Sequence, residues 1–77
     1  MPKRIRVDRI IVSEPVPAGM SPLVVMSLAY MYRSTTEDAD PITVTREGPH
    51  YRVADGRHRY LASVIAGRRR ILATIEE

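Results

Sequence analysis

The stretch Tyr51-Arg52-Val53-Ala54-Asp55-Gly56-Arg57-His58-Arg59-Tyr60-Leu61-Ala62 changes its hydrophobic period part-way along. Up to Ala54 the residues alternate at period two, as a half-buried strand does. Beyond Gly56 the spacing is helical: Leu61, Val64 and Ile65 fall on one stripe, with Ala62 and Ala66 beside it. A strand therefore turns into a helix at Asp55-Gly56. Asp55 is the expected N-cap, and Gly67 stands where a left-handed glycine closes a helix.

Outward from this junction, Ile42-Thr43-Val44-Thr45 alternates in the same way, and Glu47-Gly48-Pro49 reads as a turn, so residues 42–54 are expected to form a β-hairpin. Downstream, Ile71, Ala73 and Ile75 alternate as a final strand. Upstream, the polar and acidic run Ser34 to Asp40 is a loop that Pro41 ends. Before it, Ser21-Pro22 opens a helix, with serine as N-cap and proline at the first helical position. Leu23 to Arg33 is apolar on nearly every side, so this helix is expected to be largely covered. The pair Val24-Val25 makes a strand its main competitor. Glu14 to Gly19 is a loop, and Arg4 to Val12 is a strand with a register change near Asp8-Arg9. The expected fold is a small single α+β domain over residues 1–77, a mixed sheet with two main helices.

Composition limits the chemistry. The 77 residues include no cysteine, which removes disulfides, thiolate metal sites and thiol nucleophiles. A chain this short buries only about 60% of the surface its unfolded form exposes, so apolar packing or a partner must hold it. No signal peptide or membrane span is evident, and the reducing cytoplasm is the expected compartment. The net charge is +3, and its placement is uneven. Residues 1–45 carry five basic and five acidic side chains, whereas residues 46–70 carry seven arginines against Glu47 and Asp55. Arginine offers a planar fork of donors suited to phosphate or carboxylate, although GC-rich coding gives the same composition.

The junction is also where chemistry is expected. A helix N-terminus presents free backbone N–H groups and the positive end of the helix dipole. Gly56 removes a Cβ that would keep a ligand from the main chain. Arg57, His58 and Arg59 fan out over the first turn, about 100° apart. Together these are the ingredients of a phosphate grip.

From Pro41-Ile42-Thr43-Val44 through Tyr51 to Ala62, then Ala66-Gly67 and the last strand, the sequence resembles the ParB N-terminal domain, of the ParB/sulfiredoxin fold. The match is best over 41–76. The resemblance implies a nucleotide- or phosphate-binding module, with CTP or ATP and Mg²⁺ as the expected ligands. In ParB proteins the arginine-rich helix start contacts the CTP triphosphate. In sulfiredoxins a similar Gly-Cys-His-Arg-Tyr run binds ATP phosphate and carries the catalytic cysteine. Gly56, His58, Arg59 and Tyr60 match that run, with Arg57 in the cysteine's place, so sulfiredoxin chemistry is excluded. The site set is Gly56, Arg57, His58 and Arg59, with Asp55, Tyr60 and Arg9 as accessories. Arg9 is the nearest counterpart of the family's second nucleotide-contacting segment, because Ser13 to Met20 holds no basic residue. The helix-turn-helix and dimerisation domains of partition-type ParB have no counterpart here, so a stand-alone module is expected.

Several features carry two readings each. His50 and His58 lie eight residues apart with only Asp55 between as a third ligand type, so a structural or phosphate role is favoured over a metal site. Glu37, Asp38 and Asp40 are a solvated acidic loop or an Mg²⁺ site. Arg68-Arg69-Arg70 either contact a nucleic-acid backbone or neutralise the end of the preceding helix. Tyr60 stacks on a base or packs on the sheet. The Leu23–Tyr32 helix is core, or a homodimer or partner surface if its outer face is bare. Three functions follow: a nucleotide-binding module, regulatory or DNA-associated; a nucleic-acid-binding protein or ParB-like nuclease; and a protein-interaction module with a vestigial nucleotide site. Clustered carboxylates for hydrolysis are absent, so binding ranks above catalysis.

Overall fold

In the computed structural model the described residues are 1–11 and 21–76; Glu14 to Gly19, Val12 and Met20 lie outside them. The elements are β1 (Lys3–Arg6), a 3-10 turn (Val7–Arg9), β2 (Ile10–Ile11), α1 (Pro22–Ser34), β3 (Ile42–Glu47), β4 (His50–Asp55), α2 (Arg57–Ile65) and β5 (Arg70–Glu76). The hairpin, both helices and the final strand fall where the periodicity puts them.

The Arg4–Val12 strand divides in two, and the division shapes the molecule. The sheet order is β1-β5-β3-β4-β2, so the two halves of the expected strand are its opposite edges. In a flat sheet those edges would be ~19 Å apart, but a three-residue 3-10 turn advances only ~6 Å. The sheet must therefore curl until its edges approach. β1 pairs antiparallel with β5, β2 parallel with β4, and β3 antiparallel with β4 and parallel with β5. The inward face supplies Ile5, Ile10, Ile42, Val44, Ile71 and Ala73, all buried, with Val53, Tyr60 and Ile75 packed on them.

A second core lies between the helices: Val25, Ala29 and Tyr32 of α1 against Ala62 of α2. The sequence reading of both helices needs correcting here. α1 is not covered on most sides. Val25, Ala29 and Tyr32 are buried, but Leu23 is 79% exposed, Tyr30 75%, Met31 59%, Met26 57% and Val24 47%. The reason is that α2 is the element α1 packs against at length, and one neighbour covers one stripe. On α2 the bulky Val64 and Ile65 face outward, while small Ala62 and Ser63 are buried. Small residues let α2 approach α1 and the sheet closely, and Ser63 Oγ satisfies itself on the Arg59 carbonyl at 2.8 Å.

Helix termini are well defined. Ser21 Oγ accepts from the Val24 N–H at 3.4 Å, as expected of the N-cap. At the end of α2, Gly67 adopts φ +78°; its N–H bonds the Val64 carbonyl at 3.0 Å, and the Arg68 N–H the Ser63 carbonyl at 2.9 Å. That pair of bonds is the Schellman closure the glycine predicted. The acidic loop is tied down: Asp38 receives the Arg4 guanidinium at 2.7 and 3.1 Å, which holds its carboxyl below the usual range. Among the described residues no group of three acidic or histidine side chains could hold a metal, and no helix is long and apolar enough to cross a membrane.

Candidate functional site

β2 and β4 are parallel neighbours, so their carboxyl ends point the same way. β4 leads directly into α2 at Gly56, and Ser21 at the start of α1 is held beside that junction. The Ser21 N–H donates to His58 Nε2 at 3.0 Å. Two helix N-termini are thus pinned together at one end of the curled sheet. Accepting that bond leaves the neutral His58 ring with its proton on Nδ1.

The turn itself depends on Gly56. It is the N-cap of α2, at φ 95° and ψ 30°, with no side-chain cap. Asp55 is therefore not the N-cap the sequence implied; it stays in β4, paired with Thr43, and the chain turns one residue later. A Cβ at Gly56 would fall 2.6 Å from Ile42 Cγ2 and 3.2 Å from Arg59 Nη2. The site needs glycine for its left-handed backbone and again for space.

The arginines of the first turn divide their roles. Arg57 is exposed and has no hydrogen bond or ion pair among the described residues. Arg59 folds back instead: Nη2 donates to the Pro41 carbonyl at 3.2 Å, and its charge acts on Tyr32. Its Nε is buried and has no hydrogen-bond partner among the described residues, while Nη2 lies against Gly56. The Tyr60 N–H already bonds the Gly56 carbonyl at 2.9 Å, whereas the N–H groups of Arg57, His58 and Arg59 precede the first intrahelical bond. Tyr60 itself packs on the sheet core, and burial pushes its phenol up.

The remaining sequence-predicted residues lie elsewhere. Arg9 ends the 3-10 turn, level with His50 at the start of β4, so the length of that strand separates it from Gly56. Arg68, Arg69 and Arg70 stand beyond the far end of α2. Arg68 is committed to α1, not to the helix before it: Nη2 donates to the Tyr32 and Thr35 carbonyls at 2.9 and 2.8 Å, and the guanidinium lies over the Tyr32 ring. His50 is exposed. The Ser21–His58 and Arg59–Pro41 bonds had no signal in the sequence, because their partners are 37 and 18 residues apart.

No family model and no curated protein matches the sequence. Solved structures do. Over its whole length the chain superposes on ParB from Caulobacter crescentus complexed with CTP-gamma-S, with a TM-score of 0.82 and 15% identity. A structure of the same protein complexed to the centromeric parS site gives 0.75 and 15% over 97% of the chain. Sulfiredoxin from Arabidopsis thaliana gives 0.75 and 22% over the whole chain, which spans 85% of that protein. The chain spans only 44% and 38% of the two ParB chains. The fold is thus that of the ParB/sulfiredoxin group, a five-stranded mixed sheet with two helices.

Proposed function

We propose that the chain is a nucleotide-binding module that grips phosphate at the start of α2. The observation that carries this reading is the glycine-opened start of α2, with Arg59 against Gly56 and the start of α1 fastened alongside by His58. Free N–H groups, two aligned helix dipoles and the exposed Arg57 favour an anion there. The likeness to a ParB structure holding a CTP analogue supports a nucleoside triphosphate as that anion. Asp55, an exposed carboxylate one residue before Gly56, is the natural partner for an accompanying Mg²⁺, which needs few protein ligands.

Calorimetric titration with CTP, ATP and GTP, each with and without Mg²⁺, tests this. Saturable heat with at least one triphosphate is expected, weakened about tenfold by Arg57→Ala through loss of one charge-assisted contact. No heat with any of the three would reject the reading. Arg57→Ala is the informative variant because that side chain supports nothing else.

A second reading, an interaction module, is favoured by the bare face of α1. Its five exposed apolar side chains present on the order of 700 Å², near the roughly 800 Å² per partner of a standard interface. The occupant we infer is a second copy of the chain. α1 has no acidic residue, and its one cation, Arg33, is turned onto the Ile65 carbonyl at 3.0 Å, so two such faces meet without charge conflict. Sedimentation equilibrium is expected to show a dimer that Leu23→Ser/Tyr30→Ser dissociates. A monomer at every concentration would sink this reading.

A further inference from the structure

The cations that follow the C-terminal end of α2 and those of β1 form a second charged surface. Six of the twelve lysines and arginines are Lys3, Arg4, Arg6, Arg68, Arg69 and Arg70. They belong to β1 and to the segment that leads into β5, two strands paired side by side. Arg6 and Arg70 are directly opposite each other. The Val7 N–H bonds the Arg69 carbonyl at 2.9 Å, which makes Arg6 and Arg70 a non-hydrogen-bonded pair, the register in which facing side chains stand closest. Like charges so placed repel, and an antiparallel ladder ordinarily avoids them.

Among the described residues that repulsion is relieved on the Arg6 side only. Arg6 is paired with Asp8, an ion pair exposed on both sides. Arg69 and Arg70 are exposed and have no partner among the described residues. Arg68 is held rigidly by α1 carbonyls and walls the same open depression, lined by Arg6, Val7, Asp8, Arg68, Arg69 and Arg70. Arg4, two residues or ~6.8 Å along β1 from Arg6, is neutralised by Asp38 at 2.7 Å and adds no free charge to the row.

We propose that this edge is a contact site for the phosphodiester backbone of nucleic acid. A row of guanidiniums along a strand edge suits successive phosphates better than one compact anion. No tyrosine lines the depression, and the Tyr32 ring under Arg68 is buried. Without a stacking platform, recognition is of the backbone and independent of sequence. The site is separate from the α2 N-terminus, so it stands or falls apart from the nucleotide reading.

Fluorescence anisotropy with a labelled mixed-sequence duplex, and with a single strand of equal length, over a series of salt concentrations tests it. With Arg6, Arg69 and Arg70 each neutralising one phosphate, log affinity against log salt should fall with a slope of about −2.7 on the duplex or about −2.1 on the single strand. The slopes also tell which form is held. Arg69→Gln/Arg70→Gln should shrink the slope by about 1.8 on the duplex or about 1.4 on the single strand and weaken binding roughly tenfold at low salt, equally for unrelated sequences. Arg70→Lys should keep the slope, because the charge is retained. Thermal melts matching wild type show that the variants are folded, as exposed, unpartnered side chains allow. No salt-dependent binding by the wild type, or an unchanged slope in the double variant, would overturn the proposal.

Discussion

At the scale of single residues, Gly56 is the position with least freedom. Any other residue meets both a φ of 95° and the side chain of Ile42. Gly56→Ala is expected to cost about 2–4 kcal/mol, the sum of a left-handed backbone penalty and overpacking against a fully buried isoleucine. Urea denaturation measures it, and a loss below about 1 kcal/mol would mean the turn relaxes easily. The Arg4–Asp38 pair gives a prediction on acid stability. Asp38 is held below its ordinary range by Arg4, so its contribution is present above the unfolded carboxyl pKa and disappears as pH falls through the lower folded value. Thermal midpoints followed below pH 4.5 or so should therefore drop less steeply in Arg4→Gln than in wild type. Both partners are solvent-accessible, so the difference will be small.

At the scale of elements, α1 has an inner stripe and an outer face with opposite sensitivities. Val25→Ala empties a fully packed site between the helices and is expected to cost about 2 kcal/mol. Leu23→Ser, on the bare face, should change stability by less than about 0.5 kcal/mol in dilute solution, although both residues are aliphatic neighbours in the sequence. Chemical denaturation of the two variants side by side checks this; equal losses would mean that the outer face is covered after all. The composition of α1 did not reveal the distinction. An all-round apolar helix reads as buried, and which third of it is covered depends on what packs there.

For the whole molecule, closure of the sheet is the organising feature. β1 and β2 are sheet edges four strands apart, yet three residues join them. Deleting residues 1–6 removes an edge strand, uncovers β5 and takes Ile5 out of the core. The truncated chain is expected to lose its cooperative thermal transition, measured by circular dichroism. A sharp transition in that chain would mean that β1 is dispensable. The pairing of β1 with β5 brings Arg6 against Arg70, residues that sequence windows assign to a neutral half and a basic half.

The sequence by itself determined the elements and the junction. Period-two alternation at 42–54 and 71–75, helical spacing after Gly56, Ser21-Pro22 as a helix start and Gly67 as a helix end are local signals, fixed by backbone geometry within a few residues. The resemblance of 41–76 to the ParB N-terminal domain pointed to the fold from the same residues. Tertiary structure alone decided the rest. It put the N-cap at Gly56 instead of Asp55, because β3 keeps its pairing through that residue. It bound His58 to Ser21, turned Arg59 toward Pro41, gave Arg68 to α1 and set Arg6 against Arg70. Each of these contacts joins residues far apart in the chain, and periodicity says which way a side chain faces but not what it meets.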